Sequence, residues 1–264
     1  MKKMNEPDGD IKDNEPAGRR REPKVAGNTN PDGQSACDFD GNRDQRHDYY
    51  EEASGAHSLN ELIQWIDDQK ARNHIFQKRE GLNTLRDWHM DAKSNFSHRG
   101  GKFFTVVGIR VTLPHREVAA WDQPIINNVE TGIIGLLTAE FKGKVHVLMQ
   151  AKAEVGNRHI IQLAPTVQFA PGNYINTGAL KKPFLFDEFV SPSQFPVILE
   201  SRQSEEGGRF YKEDHVHRVL LLPDTVTLNV PPDYRWLSLA QVRFFLHMGE
   251  QVNYCARSIL ACLL

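Results

Sequence analysis

The chain has 264 residues, of which 39% are hydrophobic and 25% charged, enough apolar material for one or two globular domains. Its formal net charge is -2, with acidic and basic residues intermixed, which argues against a nucleic-acid-binding surface, and its apolar runs are too short to span a bilayer. Cys37, Cys255 and Cys262 are too few and too scattered for a disulfide framework, and the N-terminus lacks the apolar core of a signal peptide, so a reduced, cytoplasmic setting is expected.

Residues 1–53 form a polar head in which DGD, NEPAG and NPDGQ recur with few large apolar groups. Such a segment cannot bury enough surface to offset its ordering entropy, so it is expected to be a disordered tail, with one folded domain over 54–264. Arg19, Arg20 and Arg21 read as part of that solvated tail. Order is expected from Ser58, where Ser58 and Glu61 make a capping box ahead of Leu59, Leu62, Ile63 and Ile66 at helical spacing. This helix should end between Ala71 and His74. Leu82 to Met90 reads as irregular or as a short helical turn, with Trp88 as a packing anchor.

Lys102 to Thr112 is a strand candidate, nearly continuous in Phe, Val and Ile, entered through Gly100 and Gly101 with His98 just before it. His98 is equally a loop residue or a site residue on this pattern. Trp121 to Asn128 contains Pro124 and reads as a loop or an edge strand. Trp121 offers a flat face for a nucleobase or for simple packing. Ile133 to Phe141, the Lys142-Gly143 link and Lys144 to Lys152 predict a β-hairpin. Along Lys144 to Lys152 apolar and polar residues alternate, which predicts a strand with one solvated face. A second run, His159 to Val167, returns to complete a meander.

Polar groups concentrate around this centre: Gln150, Lys152, Glu154, Asn157, Gln162, Thr166, Gln168, Asn173 and Tyr174. Beyond it, Tyr174 to Phe195 is a connector, Val197 to Ser201 and Arg209 to Lys212 are short strand candidates, and Ser204 to Gly208 is an acidic turn whose Glu205 and Glu206 read as solvated. His215 to Leu222 is a further strand. Ser238 and Gln241 form a second capping box before a helix that Gly249 stops, and Val252 to Leu263 is a last helix. Arg257 lies near the apolar side of that helix and is expected to reach a carboxylate or a phosphate. No internal repeat is present.

QAKAEVGN (Gln150 to Asn157) followed by QLAPTVQFAPGNY (Gln162 to Tyr174) resembles the central signature of the NDP-hexose 2,3-dehydratases. HRGGKFFTVVGIRV, WDQPIINN, SEEGGRFY and NYCARSILACL resemble the same family's flanking blocks, so the likeness runs from about His57 to the C-terminus. Val155 departs from the family's usual proline, and Ala170 and Gly172 stand where small polar residues are expected.

The resemblance implies an α+β fold, a Nudix-like mixed and curved sheet with packed helices, here as a single module where the family carries two in tandem. It implies removal of water across C2 and C3 of a nucleotide-linked 4-keto-6-deoxyhexose, most simply dTDP-linked, in deoxysugar biosynthesis. No cofactor and no metal are expected, and the chain has neither a dinucleotide fingerprint nor the glutamate-rich helix with which Nudix hydrolases hold magnesium. Lys152 and Glu154 are the expected donor to the 4-keto oxygen and base for the C3 proton. Tyr174 or His98 is expected to protonate the leaving hydroxyl. Arg209 and Arg257, with Asn173 and Thr166, are candidates for the pyrophosphate. Gln123, Gln150, Asn157, Gln162 and Gln168 suit the sugar and base, with Trp121 to stack. A Lys–Glu pair near a strand end also has a purely structural reading. A non-catalytic sugar-nucleotide binding module, or a half-enzyme that needs a partner, is the competing function, and a Nudix-type pyrophosphohydrolase a weaker third. The apolar C-terminal run Ile259 to Leu264 leads us to expect a homodimer.

Overall fold

The computed structural model describes residues 56–263 except Lys102, Val129 and 176–179. The polar head, and with it the expected disordered tail over 1–53, lies outside the described residues. The first helix, α1 (Leu59–Arg72), begins where the capping box sets it: the Ser58 hydroxyl accepts from the Glu61 amide and the Glu61 carboxylate accepts from the Ser58 amide. Leu59, Leu62, Trp65 and Ile66 are buried along one stripe. A single turn of 3-10 helix, Leu82–Thr84, leads into a four-stranded antiparallel sheet of β1 (Trp88–Met90), β2 (Phe96–His98), β3 (Thr105–Thr112) and β4 (Ala120–Asn127), in that order. β4 is an edge strand, the position that tolerates Pro124.

The larger sheet holds the site. Its strands are β5 (Gly132–Phe141), β6 (Lys144–Ala153), β7 (Ile161–Ala164), β8 (Val167–Phe169), β9 (Val197–Ser204), β10 (Asp214–Leu221) and β11 (Tyr234–Ser238). The main order is β11-β6-β5-β10-β9, parallel between β5 and β10 and antiparallel elsewhere. The β5–β6 hairpin turns at Lys142 and Gly143, both at positive φ (53° and 75°), as a two-residue turn matched to strand twist requires.

The expected continuous strand from His159 to Val167 is broken. β5 and β6 pair only from Leu137↔Leu148 to the turn and then diverge. β7 fills the gap along β6, from Gln150↔Ala164 to Ala153↔Ile161, and β8 fills it along β5, from Ile133↔Phe169 to Gly135↔Val167. Thr166 sits at the point of divergence, wholly buried, where its hydroxyl accepts from the Leu137 amide (2.8 Å) and donates to the Leu148 carbonyl (2.6 Å). It satisfies the two backbone groups that the fork would otherwise orphan.

Helices α2 (Gly172–Ile175), α3 (Phe186–Val190), α4 (Leu239–His247) and α5 (Tyr254–Ala261) complete the fold. α1, α4 and α5 cover one face of the large sheet, over Ile134, Leu136, Val147, Met149, Ile161, Leu163, Val219 and Leu237. Phe186 and Phe189 of α3, with Phe195, cover the other, over Ile133, Leu137, Leu148, Val167 and Leu220. Both faces of β6 are therefore packed, and the solvated face expected from its alternation is absent; even His146 is buried, while Val145 is exposed. The α+β class, a mixed sheet with packed helices, is the one expected. The strand expected over Arg209 to Lys212 is a turn with one bridge, Ile126↔Phe210, through which the small sheet meets the β9–β10 connection. Ser238 and Gln241 cap α4 as predicted, and Gly249 (φ 72°) follows its end. Among the described residues no helix is long and apolar enough to cross a membrane.

Candidate active site

Face parity brings the polar groups together. Gln168 on β8 lies opposite Ile134 on β5, which lies opposite His217 on β10. Paired residues share a face, so Gln168, His215 and His217 all project toward the side that α5 covers. α5 starts there because the Asn253 carboxamide oxygen accepts from the Ala256 amide (2.8 Å), an N-cap. The same side chain is 2% exposed and donates to Glu154 (3.0 Å) and to Gln168 (2.7 Å).

Glu154 is the centre of this group. Gln168 donates to one of its oxygens in a short bond, and Asn253 donates to the other, where Asn157 also approaches at 3.5 Å. Asn157 in turn donates to Gln162 (3.0 Å), whose amide donates to the Glu250 carbonyl (2.7 Å). The Lys152 ammonium stands 4.0 Å from Glu154, both side chains about one quarter exposed. Burial pushes the Lys152 ammonium below the usual lysine range, and the Glu154 charge pulls it partly back. Burial pushes the Cys255 thiol up to about 12, and the carboxylates of Glu154 and Glu205 add to the rise, so it stays a thiol at neutral pH.

A second group adjoins on the same face. His215 Nδ1 is 3.0 Å from Glu205 and its Nε2 is 3.5 Å from Glu213. Asn128 donates to Glu213 (3.2 Å), and burial followed by the Glu205 charge raises the Tyr254 phenol above its usual range. His217 Nε2 lies 2.8 Å from the Ser258 hydroxyl. Gly132 makes room for this group: a Cβ there would sit 2.4 Å from the His215 ring. The two ring nitrogens of His215 face away from each other, so the acids do not converge on a common point, and among the described residues no group of three or more His, Cys, Asp or Glu side chains is arranged to hold a metal ion.

Of the residues singled out from sequence, Lys152, Glu154, Asn157, Gln162 and Gln168 come together. Others do not. Tyr174 packs its ring against Phe169 and Phe186 in the core on the opposite face, because Phe169 and Gln168, neighbours on one strand, point to opposite sides. Asn173 is half-buried beside it on α2. Gln150 donates to Asp233 on β11's approach (3.0 Å). Thr166 is wholly buried inside the fork, its hydroxyl engaged by two backbone groups and out of reach of a ligand. His98 belongs to the aromatic cluster of the small sheet, edge-on to Trp88 and Phe103. Trp121 donates to Gln123, and Gln123 donates to the Gly208 carbonyl. Both lie far along β4 from Asn128, with Trp121 roughly 23 Å away at about 3.3 Å per residue. Arg209 is exposed on the Glu206–Tyr211 turn, and Arg257 opens onto the groove between α4 and α5 rather than onto Glu154.

Glu205, Glu213, His215, Asn253 and Tyr254 escaped the sequence reading as site residues. Their signal was present in part, since Glu205 lies in SEEGGRFY, and Asn253 and Tyr254 open NYCARSILACL.

A family model described as NDP-hexose 2,3-dehydratase matches residues 59–263. Similar curated proteins include a dTDP-4-dehydro-6-deoxy-alpha-D-glucopyranose 2,3-dehydratase of Saccharopolyspora spinosa, 36% identical over 200 residues, covering 75% of this chain and 41% of that protein. One of the same description from Amycolatopsis orientalis is 35% identical over 208 residues, covering 75% and 43%. The chain thus spans less than half the length of these relatives. Among solved structures, similar chains include an ADP compounds hydrolase (12% identity, 72% of this chain and 95% of that chain, TM-score 0.38) and the Ap4A hydrolase of C. elegans (14%, 52% and 100%, TM-score 0.29).

Proposed function

The chain belongs to the NDP-hexose 2,3-dehydratase family, and on that premise we propose that it removes water across C2 and C3 of a nucleotide-linked 4-keto-6-deoxyhexose, with a dTDP-linked sugar as substrate. One observation carries this reading: the partly enclosed Glu154 carboxylate, fixed by Gln168 and Asn253, with the Lys152 ammonium 4.0 Å away. The 4-ketone acidifies the C3 hydrogen. Glu154 takes that proton, its orientation set by amide donors that cannot themselves ionise. Charge then builds on the ketone oxygen, and Lys152 donates to it. Burial has already weakened the hold of Lys152 on its proton, so the transfer is less uphill than from a solvated lysine. Asn157 and Gln162 line the same turn and offer amides to the sugar hydroxyls.

Incubation with a dTDP-4-keto-6-deoxyglucose substrate tests the reading by loss of substrate. Lys152→Ala or Glu154→Ala should each slow turnover by at least about tenfold, the low side of what a placed acid or base contributes, with folding retained. Wild-type rates in both variants would remove the chemistry from this site.

A second reading has its own support in the chain's coverage of its relatives, 41% and 43% of their lengths. On it, this module binds the sugar nucleotide without turnover or acts only beside a partner. Saturable binding with no loss of substrate favours that reading. The proposed partner is a second copy, seated on the groove of about 590 Å³ that Leu239, Val242, Leu246, Leu260 and Leu263 line between α4 and α5.

A further inference from the structure

A sugar nucleotide carries its diphosphate on C1, so cations have to stand near the group that works on C3. Lys152 is assigned to the ketone oxygen, and Arg209 and Arg257 open elsewhere. The hairpin that carries Glu154 offers other cations on its far strand. The Glu154 amide donates to the Ile160 carbonyl (3.0 Å), continuing the β6–β7 register from Ala153↔Ile161. Opposed residues in such a ladder stand about 5 Å apart at Cα. Ile160 and Ile161 line a cavity of about 380 Å³ between this hairpin and the end of α1. Lys70, Asn73, His74, Phe76, Arg158 and His159 line it as well, and none of the described residues that line it is acidic. We infer that this cavity binds the nucleoside diphosphate end of the substrate, with Lys70, Arg158 and His159 on the phosphates and the Phe76 ring against the base. The inference rests on the sugar-nucleotide reading, which the dehydratase and the binding module share.

The cations are arranged for an anion. Arg158 is exposed and makes no ion pair or hydrogen bond among the described residues. The Lys70 ammonium donates to Gln251 (3.1 Å) and to Asp67 (3.3 Å), and its side chain remains 34% exposed. An ammonium has three donors, so one is left for a phosphate oxygen. His159 Nε2 lies 3.1 Å from the Glu250 carboxylate, which is 52% exposed and can yield its place to a phosphate. α1 ends at this cavity, and a helix C-terminus repels anions through its last carbonyls. Here the Asn73 carboxamide donates to the Gln69 carbonyl (2.9 Å) and covers it.

The cavity and the base are joined through one turn. Asn157 approaches Glu154 at 3.5 Å and donates to Gln162, whose amide donates to the Glu250 carbonyl, while Arg158 and His159 follow Asn157 directly. A lone exposed phenylalanine is ordinary on a protein surface. Phe76, however, is 99% exposed on the rim of a cationic cavity, where a flat apolar face beside phosphate-binding groups suits a nucleobase.

Titration calorimetry of the full chain with dTDP, inorganic pyrophosphate and thymidine tests this. The wild type should bind dTDP, and more weakly as salt rises. Arg158→Glu should weaken dTDP and pyrophosphate together, each by at least about tenfold, because an attractive contact becomes a like-charge one. Phe76→Ala should weaken dTDP about fivefold, the low side of one base–aromatic stack, and leave pyrophosphate within about twofold. Both side chains are exposed, so thermal melts should match the wild type. In turnover, Arg158→Ala should raise KM for dTDP-4-keto-6-deoxyglucose about tenfold with kcat within about twofold, the mark of binding that is equal in ground and transition states. Unchanged dTDP affinity in Arg158→Glu, with the sugar still consumed, overturns the inference and leaves the dehydratase reading standing; unchanged dTDP affinity in Phe76→Ala removes the stack. Arg158-dependent binding of dTDP with no consumption of the sugar upholds the cavity and refutes the dehydratase in favour of the binding module. A wild type that binds none of the three probes overturns the inference.

Discussion

Replacing Asn253 separates two jobs that one carboxamide performs. Its oxygen caps α5, and its nitrogen donates to Glu154 and Gln168. Asn253→Ser keeps an oxygen for the cap and deletes both donations. One of those is to a charged group and one to a neutral amide, worth together roughly 2–4 kcal/mol when buried. Glu154 is 26% exposed at its side chain and regains some hydration, so the lower part of that range, about 2–3 kcal/mol, is expected. Asn253→Ala should lose about 1 kcal/mol more, the contribution of the cap. Asn253→Asp is the informative case. It caps as well as asparagine, but it sets a second carboxylate against Glu154 where a donor stood. Two carboxylates at hydrogen-bond distance do not both ionise at low cost, so the pair retains a proton in the folded state. An acid whose folded pKa is raised contributes stability below its unfolded pKa and loses it as pH rises through the folded value. The aspartate variant should therefore be the least stable of the three at pH 7 and recover toward the serine variant at pH 5. Urea unfolding at the two pH values measures this. An Asn253→Asp protein as stable as wild type at pH 7 would show that the nitrogen contacts contribute nothing, and the account of how Glu154 is held would be wrong.

Glu213 supplies a second linkage test in the native chain. Burial raises its carboxyl above the ordinary 4.5, so its share of stability is present below that value and is lost as pH climbs through the raised one. Glu213→Gln should be closest to wild type near pH 4 and relatively more stable toward neutrality, and parallel unfolding curves at both pH values would contradict this. For assembly, the groove between α4 and α5 predicts a dimer at micromolar concentration by light scattering, which Leu246→Glu should convert to a monomer; a monomeric wild type would rule that partner out.

How much of this was legible in the sequence depends on the range of the cause. Both capping boxes are written in four adjacent residues, and Ser58–Glu61 and Ser238–Gln241 stand where they were read. The β5–β6 hairpin was equally local, because Lys142-Gly143 specifies its own turn. The fork was not. Pro165 and Thr166 look like the interior of one strand until β5 and β6 are seen to part, and only then does a hydroxyl that bridges Leu137 and Leu148 have a purpose. The same holds for the site. Lys152, Glu154 and Gln168 are close in the chain and were picked out together. His215 meets Glu205 through the pairing of β10 with β9 and reaches the Gln168 side only through the parallel pairing of β10 with β5, which no spacing in the sequence encodes. Tyr174 misled for the converse reason: an aromatic beside polar residues reads as a reagent, but strand parity sends Phe169 and its partner Tyr174 to the other face.

The fork also governs which changes of length this chain can absorb. From Ile161 to Phe169 the backbone is anchored at both ends, by Ala153↔Ile161 on one side and Ile133↔Phe169 on the other, with Thr166 pinned between. There is no slack in that interval. An inserted or deleted residue would shift the phase of everything after it by one, and phase in a strand decides face. Gln168 would turn into the phenylalanine-rich core and Val167 or Phe169 would meet Glu154 in its place. Side chains in this interval can drift one at a time, but its residue count behaves like a reading frame, whereas the Lys142-Gly143 turn, with open space around Gly143, can lengthen without moving any group of the site.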